Sequence, residues 1–507
     1  MKLKDLCRGA GIVCPVHAEE CEITGINTSS SRVGVGELFV CIRGLHCDGH
    51  DYIDEAIARG AVCILTDRYA SWGEAAGAIV LQCSDTREAV ARLYHAWYGF
   101  PGEHLKLIGV TGTNGKTSVT HMLRAILEAS MYKTGLIGTV GCFSAGGRPL
   151  SVGSTNELAN MTTPDPDVLY RALAEMRDDG VEYVVMEVSS HALELQKLAP
   201  LSFVAAVFTN LTPEHLDFHK TMENYAAAKA KLLSKSALSV CNADSPYASY
   251  MEQHAKGRVV TCTAGERDAD FCAEEIRLAE CGVSYRLRSL RTRLRLSCPI
   301  AGSFTVMNSM QAAICALELG CSPALIKTVL SSMLPVRGRM ERVRLGFGAD
   351  FTVLIDYAHT PDALEKLLRT VRTLRKKNGK IVLVFGCGGD RDRAKRPIMG
   401  AIAARLADRV IVTSDNSRTE DPERIIEEIL AGMAQKPPTA MIPERDKAIA
   451  FAIQTACAGD IVLLAGKGHE EYEITREGRR AFCEREIAKR AYEDRVRNNG
   501  SANGGTK

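Results

Sequence analysis

The chain of 507 residues lacks an excess of either charge. Its 63 Lys and Arg against 61 Asp and Glu leave a formal net charge of +2, so no one-sign field points to nucleic acid or to an acidic membrane face. It lacks any apolar run of membrane-spanning length. The opening MKLKDLCRGAGIVCP has no signal-peptide h-region, and the expected compartment is the cytoplasm. It also lacks a Cys-x-x-Cys pair, although it carries 18 cysteines. Many sit in apolar stretches, Cys63 in AVCIL and Cys315 in AICAL. Buried free thiols in a reducing compartment fit this better than a disulfide framework or a zinc site, and the recurrence of Cys7, Cys14 and Cys21 is read as coincidence. No internal repeat is evident. What is there is an ordinary globular composition, 46% hydrophobic and 24% charged, at a length that predicts roughly two to four domains of about 150 residues.

The most informative stretch is LIGVTGTNGKTSVT, Leu107–Thr120. Leu105–Val110 reads as a buried strand, Gly112-Thr113-Asn114-Gly115 as a turn, and Lys116-Thr117-Ser118 as the start of a helix whose apolar face is Val119, Met122, Leu123, Ile126 and Leu127. Such a turn lets backbone N–H groups approach an anion, the helix start adds partial positive charge, and the lysine adds a full one. Thr117 offers a hydroxyl to Mg²⁺. The loop therefore predicts work on a nucleoside triphosphate. Val110 stands where the usual phosphate-loop pattern has glycine, so the loop is of a shortened type.

Three domains and a tail are expected: 1–99, mixed strand and helix; 100–334, opening on the phosphate-loop strand; 335–498; and a disordered tail over 499–507. In the middle domain VEYVVMEV (Val181–Val188) and FVAAVFTNL (Phe203–Leu211) read as buried strands, and Glu223–Leu233 as a helix. In the third, strands Phe351–Tyr357, Lys380–Gly386, Arg409–Asp415 and Asp460–Gly466 alternate with helices near 361–375, 397–407, 422–434 and 446–457. That alternation predicts an α/β fold with a doubly wound, Rossmann-like parallel sheet whose ligands sit at the carboxyl ends of the strands.

The chemistry-bearing motifs fall at such ends. MEVSSH places Glu187, Ser189 and His191 after one strand. In isolation this reads rather as a strand end followed by a capping serine; beside a phosphate loop the carboxylate suits Mg²⁺ and the metal role is favoured. NLTPEHLDFH gathers Glu214, His215, Asp217 and His219 after the next strand, a set suited to metal or acid–base work. In the third domain Arg391, Arg393, Arg396, Arg418 and Lys467 recur at successive strand ends with Glu470 among them. Planar guanidinium forks suit carboxylates or phosphates, and Glu470 suits an ammonium, so an amino-acid ligand is one reading. An internal ion-pair network with Asp390, Asp392, Asp415 and Glu420 is the other.

The run ITGINTSSSRVGVGELFVCIRG, GLHCDGHDYI, GTNGKTS, TTPD, EVSSHAL, TNLTPEHLDFH, DYAHTPDALEK, GGDRDRAKRPIMG, DNSR and GKGHE, in one order over most of the chain, resembles the Mur ligase family in its MurE-type branch, whose members use ATP to add the third residue of the peptidoglycan stem peptide. The resemblance implies a central P-loop ATPase-like sheet, a C-terminal Rossmann-like domain and a smaller N-terminal domain. It implies addition of meso-diaminopimelate to UDP-N-acetylmuramoyl-L-alanyl-D-glutamate through an acyl phosphate, by a cytoplasmic monomer with ATP and Mg²⁺. The alternatives are the same reaction with L-lysine, or a catalytically silent nucleotide-binding scaffold. By resemblance, Gly112–Ser118 and Asn308 hold ATP, and Lys116 serves the transferring phosphate. Glu187 and His215 ligate magnesium together with Thr117. Lys229, in ENYAAAK, is carbamylated so that its new carboxylate holds a second ion. Ser31, Leu45, His46, Cys47, Thr162, Thr163, Ser189 and Lys197 fall where the family holds the UDP-linked substrate. Arg391, Asp415, Asn416, Ser417, Arg418, Gly466 and Glu470 fall where it holds diaminopimelate. Four positions depart from the pattern: Ser417 replaces the usual proline of Asp-Asn-Pro-Arg, Met161 replaces an asparagine, Leu195 replaces a glutamine, and Lys197 replaces an arginine, keeping its charge without its fork.

Overall fold

The structure, a computed structural model, describes residues 1–44, 47–68, 77–151, 161–279, 281–433, 437 and 439–503, with side chains described as far as 498. Three main sheets follow one another along the chain, with a two-stranded hairpin near its end. The first holds the parallel strands Ile26–Asn27, Leu38–Val40, Cys63–Thr66 and Ile79–Gln82. Both faces of this sheet are covered, since Phe39, Cys41 and Ile64 enter one apolar cluster and Leu38, Val40, Cys63 and Leu65 another. The second cluster runs on into the next sheet: the helix Thr86–Trp97 sets His95 against Tyr170 of the helix Pro166–Asp178, with ring centroids 5.4 Å apart.

The second sheet has ten strands. Its centre is parallel, with Lys106–Thr111 lying between Tyr183–Glu187 and Ala205–Phe208. Alternate residues of the central strands feed opposite faces, Ile108 and Val185 one way, Leu107 and Val184 the other. This is how near-continuous apolar runs come to lie in a doubly covered sheet. Three strands that the sequence reading did not include, Phe271–Ala279, Gly282–Arg288 and Arg293–Cys298, extend the sheet; the first is parallel to its inner neighbour and the other two join antiparallel. Their signal was present: Val283, Tyr285 and Leu287 face inward while Arg286 and Arg288 alternate outward.

The third sheet runs in the order Glu341–Val343, Thr352–Asp356, Ile461–Ala465, Ile381–Phe385, Arg409–Val412, Thr439–Met441, all parallel except its first pair. Ile381, Leu383 and Phe385 enter one cluster, Val382 and Val384 the other, so helices cover both faces. The helices Pro361–Leu374, Lys395–Leu406, Pro422–Ala431 and Arg445–Thr455 lie within two or three residues of the expected bounds. The strands are shorter than the apolar runs suggested: Arg409–Val412 ends before Thr413–Asp415, where the Ser414 N–H turns to Pro443 O and Asp415 reaches the cleft. The last helix, Glu484–Asn503, carries its backbone into the segment read as a tail. A formed helix adds residues at little further cost after its apolar contacts end. No helix among the described residues is long and apolar enough to cross a membrane.

Candidate active site

The turn after Lys106–Thr111 is held by its neighbours. Gly112 has φ 146°, and a Cβ there would lie 1.9 Å from Thr209 Oγ1, so only glycine fits. The Thr113 N–H donates to Asn210 O at 3.0 Å, and the Asn114 N–H to Asn210 Oδ1 at 3.0 Å. Lys116 opens the helix Lys116–Ala129 and bends back, its Nζ donating to Gly112 O at 2.9 Å and Thr113 O at 2.8 Å. Burial pushes the Lys116 amine down from its ordinary value, opposed by the charges of Glu214 and Glu187. Asn308, from the helix Phe304–Glu318, seals the far side: a Cβ on Gly115 would be 2.5 Å from its Oδ1.

Glu187 ends its strand, buried beside the turn. It accepts from Thr117 Oγ1 at 3.1 Å, from the Thr139 N–H at 2.9 Å and from Thr139 Oγ1 at 2.9 Å. These donors are neutral, and no ion pair to Glu187 is formed among the described residues. His215 stands nearby in the left-handed region, φ 58°, its ring 4.8 Å from that of His191. Burial holds its imidazole below the ordinary value, against the pull of Glu214. Lys229 is 1% exposed, its Nζ donating to Gly112 O at 3.0 Å and lying 4.6 Å over the Tyr225 ring. Burial pushes its amine well below 10.5, and the charge of Lys116 adds to the effect. No group of three or more His, Cys, Asp or Glu poised for a metal occurs among the described residues; the expected ligand set leans instead on Thr117 and Lys229.

A cavity of about 1010 Å³ opens from this point and reaches the third sheet. It is lined by Thr113–Ser118, Thr162, Thr163, Glu187, Ser189, Lys197, His215 and Asn308 on one side, and by Arg391, Asp415, Asn416, Arg418, Gly466 and Glu470 on the other. Thr163 Oγ1 donates to Glu187 O at 2.9 Å and accepts the Ser189 N–H at 2.9 Å, so it sits against the glutamate strand, while Thr162 Oγ1 accepts from Thr139 Oγ1 at 3.3 Å. Lys197 Nζ pairs with Asp165 at 2.7 Å and approaches Met161 Sδ at 3.6 Å. Ser417 is buried behind Arg418. Ser31, in the helical turn Ser30–Arg32 that follows the first strand, hydrogen-bonds Ser29 at 3.0 Å, and Ser31 and Cys47 are outside the cavity lining. Leu45 and His46 lie outside the described residues.

On the third sheet, both readings of the arginines are partly realised. Arg393 and Arg396 are tied into an internal ion-pair network with Glu420 and Glu428. Arg391 and Arg418 are not: Arg391 Nη1 donates to Asp390 O at 2.9 Å, and Arg418 Nη1 to Gly389 O at 2.8 Å and Asn416 O at 3.2 Å. Lys467 Nζ donates to Asn416 Oδ1 at 2.9 Å and lies 3.3 Å from Glu470, and Asn416 Nδ2 donates to Glu470 at 2.8 Å. Burial pushes the Glu470 carboxyl up, opposed by Lys467. Burial works against the Asp415 charge too, but Lys467 and Arg445 hold that carboxyl below its ordinary value.

Three residues without an expected role join the two sides, and a fourth, Asp356, braces the third sheet's own edge of the cleft. Arg339 Nη2 donates to Thr117 Oγ1 at 3.0 Å while its guanidinium stacks 4.7 Å from the Tyr357 ring centre. Asn114 Nδ2 donates to Asp362 at 2.9 Å, and His359 Nε2 lies 3.2 Å from Glu214. Asp356 accepts the Met340 N–H at 2.8 Å and the Ala358 N–H at 2.9 Å. The sequence signals were the Arg-Gly-Arg turn before the third sheet and the acid–histidine run DYAHTPD.

Known proteins share this arrangement. Residues 22–98 match the Mur ligase family, catalytic domain; 110–316 the Mur ligase middle domain; and 338–468 the Mur ligase, glutamate ligase domain. The UDP-N-acetylmuramoyl-L-alanyl-D-glutamate--2,6-diaminopimelate ligase of Syntrophomonas wolfei is 41% identical over 96% of this chain and 98% of its own. The ligase of the same name from Geobacillus kaustophilus is 42% identical over 94% and 96%. A solved structure titled as a UDP-N-acetylmuramoyl-L-alanyl-D-glutamate--2,6-diaminopimelate ligase superposes with a TM-score of 0.66 at 28% identity, covering 98% of this chain and 100% of that one.

Proposed function

The chain belongs to the Mur ligase family, and from that premise we propose that its cleft joins an amino acid to the carboxylate of a nucleotide-linked peptide, using ATP. It is an ADP-forming acid–amino-acid ligase of peptidoglycan precursor synthesis, adding meso-diaminopimelate to UDP-N-acetylmuramoyl-L-alanyl-D-glutamate. The observation that carries this reading is the single cavity whose walls are the phosphate loop and the Arg391–Arg418–Glu470 loops.

In the first step an oxygen of the D-glutamate side-chain carboxylate attacks the γ-phosphorus of ATP. The bond to the β,γ-bridging oxygen breaks, ADP leaves and an acyl phosphate forms. Lys116 and the start of the helix that it opens face the charge that builds there. In the second step the amine of diaminopimelate attacks the acyl carbon, the bond to phosphate breaks and the amine loses a proton, leaving amide and phosphate. Lys197 and Thr162 flank the peptide, Arg391 and Arg418 take the acceptor's carboxylates, and Asp415 and Glu470 face its ammonium. Ser31 and Cys47, in the connections of the first sheet, hold the UDP end. Holding both reactants in one closed cleft aligns them and keeps water from the acyl phosphate.

Magnesium fits the residues present. Glu187 is a buried carboxylate held by neutral donors, with the Thr117 hydroxyl beside it, an oxygen set that suits a hard cation. Thr117, Glu187, His215 and a carbamylated Lys229 would hold two such ions, which supply charge neutralisation at the transferring phosphate. Burial pushes the Lys229 amine well below 10.5, which favours the neutral form that adds to carbon dioxide. The enzyme acts as a cytoplasmic monomer, where ATP and the UDP-linked peptide are at hand.

The test is ADP release from purified protein with ATP, UDP-N-acetylmuramoyl dipeptide and either diaminopimelate or L-lysine. Turnover is expected to require both cosubstrates, to favour diaminopimelate, and to vanish in Lys116→Ala with the circular dichroism spectrum unchanged. Retained turnover in that variant would remove the phosphate-loop assignment, and a preference for lysine would remove the role given to Arg418.

A further inference from the structure

Two guanidinium groups, Arg396 and Arg445, are the largest wholly buried side chains, each 0% exposed, and neither lines the cavity. Burying a charge is unfavourable unless every partner is in place, so each position requires a structural reason. Arg396, in the helix Lys395–Leu406, donates through Nη1 to Glu420 at 2.9 Å and Glu428 at 2.8 Å, and through Nη2 to Glu420 at 2.8 Å and Gly388 O at 3.2 Å. Glu420 in turn accepts the Asp390 N–H at 2.5 Å and donates its own N–H to Ser417 O at 3.1 Å. The loop carrying Arg391 and the loop carrying Arg418 are thus tied together through one buried fork.

Arg445 opens the helix Arg445–Thr455 and does the same for the second and third loops. It donates through Nη1 to Ser414 O at 3.1 Å, through Nη2 to Ala465 O at 2.8 Å and through Nε to Glu484 at 2.9 Å. Ser414 precedes Asp415, and Ala465 precedes Gly466. The two loops meet with no slack, since a Cβ on Gly466 would be 2.6 Å from Asp415 Oδ2. A planar fork can bridge two strand-end carbonyls at once; an ammonium is a point charge on a flexible stem and cannot hold them in one plane.

We propose that Arg396 and Arg445 are positioning residues of the acceptor site, clamping three loops so that the Arg391–Arg418 pair and the Asp415–Glu470 pair keep the spacing of a dicarboxylic amino acid. The proposal rests on the assignment of the acceptor to these loops. It differs from a role in stability alone, because the clamp acts on one of three substrates. The phosphate loop and the peptide-facing residues belong to the second sheet, which neither arginine touches.

The experiment uses Arg396→Lys, Arg445→Lys and the double variant Arg445→Met with Glu484→Gln, which leaves no unpaired buried carboxylate. Full steady-state kinetics are measured for all three substrates beside thermal unfolding. The expected result is a KM for diaminopimelate raised about tenfold or more, as small displacements of a binding group produce, with the preference over L-lysine reduced and the KM values for ATP and the UDP-linked peptide within about twofold of the parent. Folded variants with an unchanged acceptor KM and preference would overturn the proposal. So would a parallel rise in all three KM values, or failure of every variant to fold. Arg418→Ala runs alongside: if it leaves the acceptor KM unmoved, the acceptor assignment itself has failed; if it raises that KM while the clamp variants do not, only the positioning role has failed.

Discussion

Truncating Arg418 should erase the choice between diaminopimelate and lysine rather than simply weaken the enzyme. The guanidinium uses Nη1 on Gly389 O and Asn416 O, while Nε and Nη2 make no hydrogen bond among the described residues. Burial, followed by the charge of Arg391, pushes its pKa down from the ordinary value, against the opposing charges of Asp415, Glu470 and Asp390; a carboxylate arriving there meets a guanidinium with donors to spare. Two charge-assisted hydrogen bonds at about 1.5–3 kcal/mol each give about 3–6 kcal/mol, or roughly 10²–10⁴-fold in kcat/KM. The contacts to Gly389 and Asn416 are lost for either amino acid, so they cancel in a ratio. The assay is kcat/KM of the parent and of Arg418→Ala with diaminopimelate and with L-lysine, which lacks the second carboxylate. The diaminopimelate value should fall by that factor and the lysine value by less than about tenfold. An equal fall for both would refute the pairing of Arg418 with the distal carboxylate.

Lys229→Met should raise the unfolding temperature by a few degrees at neutral pH in bicarbonate-free buffer. The folded-state pKa of Lys229 lies below 10.5 because of burial, so between the two values the unfolded chain binds more protons and the parent gains stability as pH rises. The advantage of the variant should therefore shrink towards pH 10.5, and a constant or growing difference in thermal scans would count against a neutral buried amine. In bicarbonate the intact parent should gain the mass of one carbon dioxide, and the Met variant none. Glu187→Gln keeps the size of the side chain and removes its charge; kcat should drop about 10²–10³-fold, with more Mg²⁺ needed for half-maximal rate, and an unchanged metal titration would exclude Glu187 as a ligand. Gly389→Ala places a Cβ 1.9 Å from Ser417 O, so stability should fall by about 1–3 kcal/mol in denaturant unfolding and the acceptor KM should rise; a neutral substitution would show that the two loops do not need this approach.

The phosphate end of the site was legible because it is contiguous. One stretch, Leu107–Thr120, holds strand, turn and helix start, and Glu187 and His215 follow at the ends of strands whose apolar runs announce themselves. The acceptor end is assembled from loops near 388–391, 414–418 and 465–470, and nothing local in DRDRAKRP separates Arg391, which faces the cavity, from Arg396, which is sealed beneath it. That division is set by the helix beginning at Lys395, whose second residue points back under the loops. The contacts that join the two sides, Arg339 to Thr117 and Asn114 to Asp362, span 222 and 248 residues and have no local signature. The antiparallel strands after Phe271 had an alternating pattern, but one crowded with arginine and glutamate that resembles a solvated segment.

Backbone strain follows the same geography. Nine non-glycine residues among those described have positive φ, and four of them, His215, Lys220, Met340 and Arg418, line the cavity, with Asp390 next to Arg391. Each such residue destabilises the fold by about 1–3 kcal/mol relative to a relaxed one, and each is held by its surroundings: the Met340 N–H by Asp356 and the Arg418 N–H by Ile474 O. Glycine would relieve the strain at any of them, yet at His215 and Arg418 it would remove the side chain that the turn presents. The left-handed bend is what aims these groups into the cleft instead of along the chain. Stability given up at these turns is recovered in the doubly covered sheets beneath them, which explains why the apolar strands read so plainly in the sequence while the bends that carry the chemistry do not.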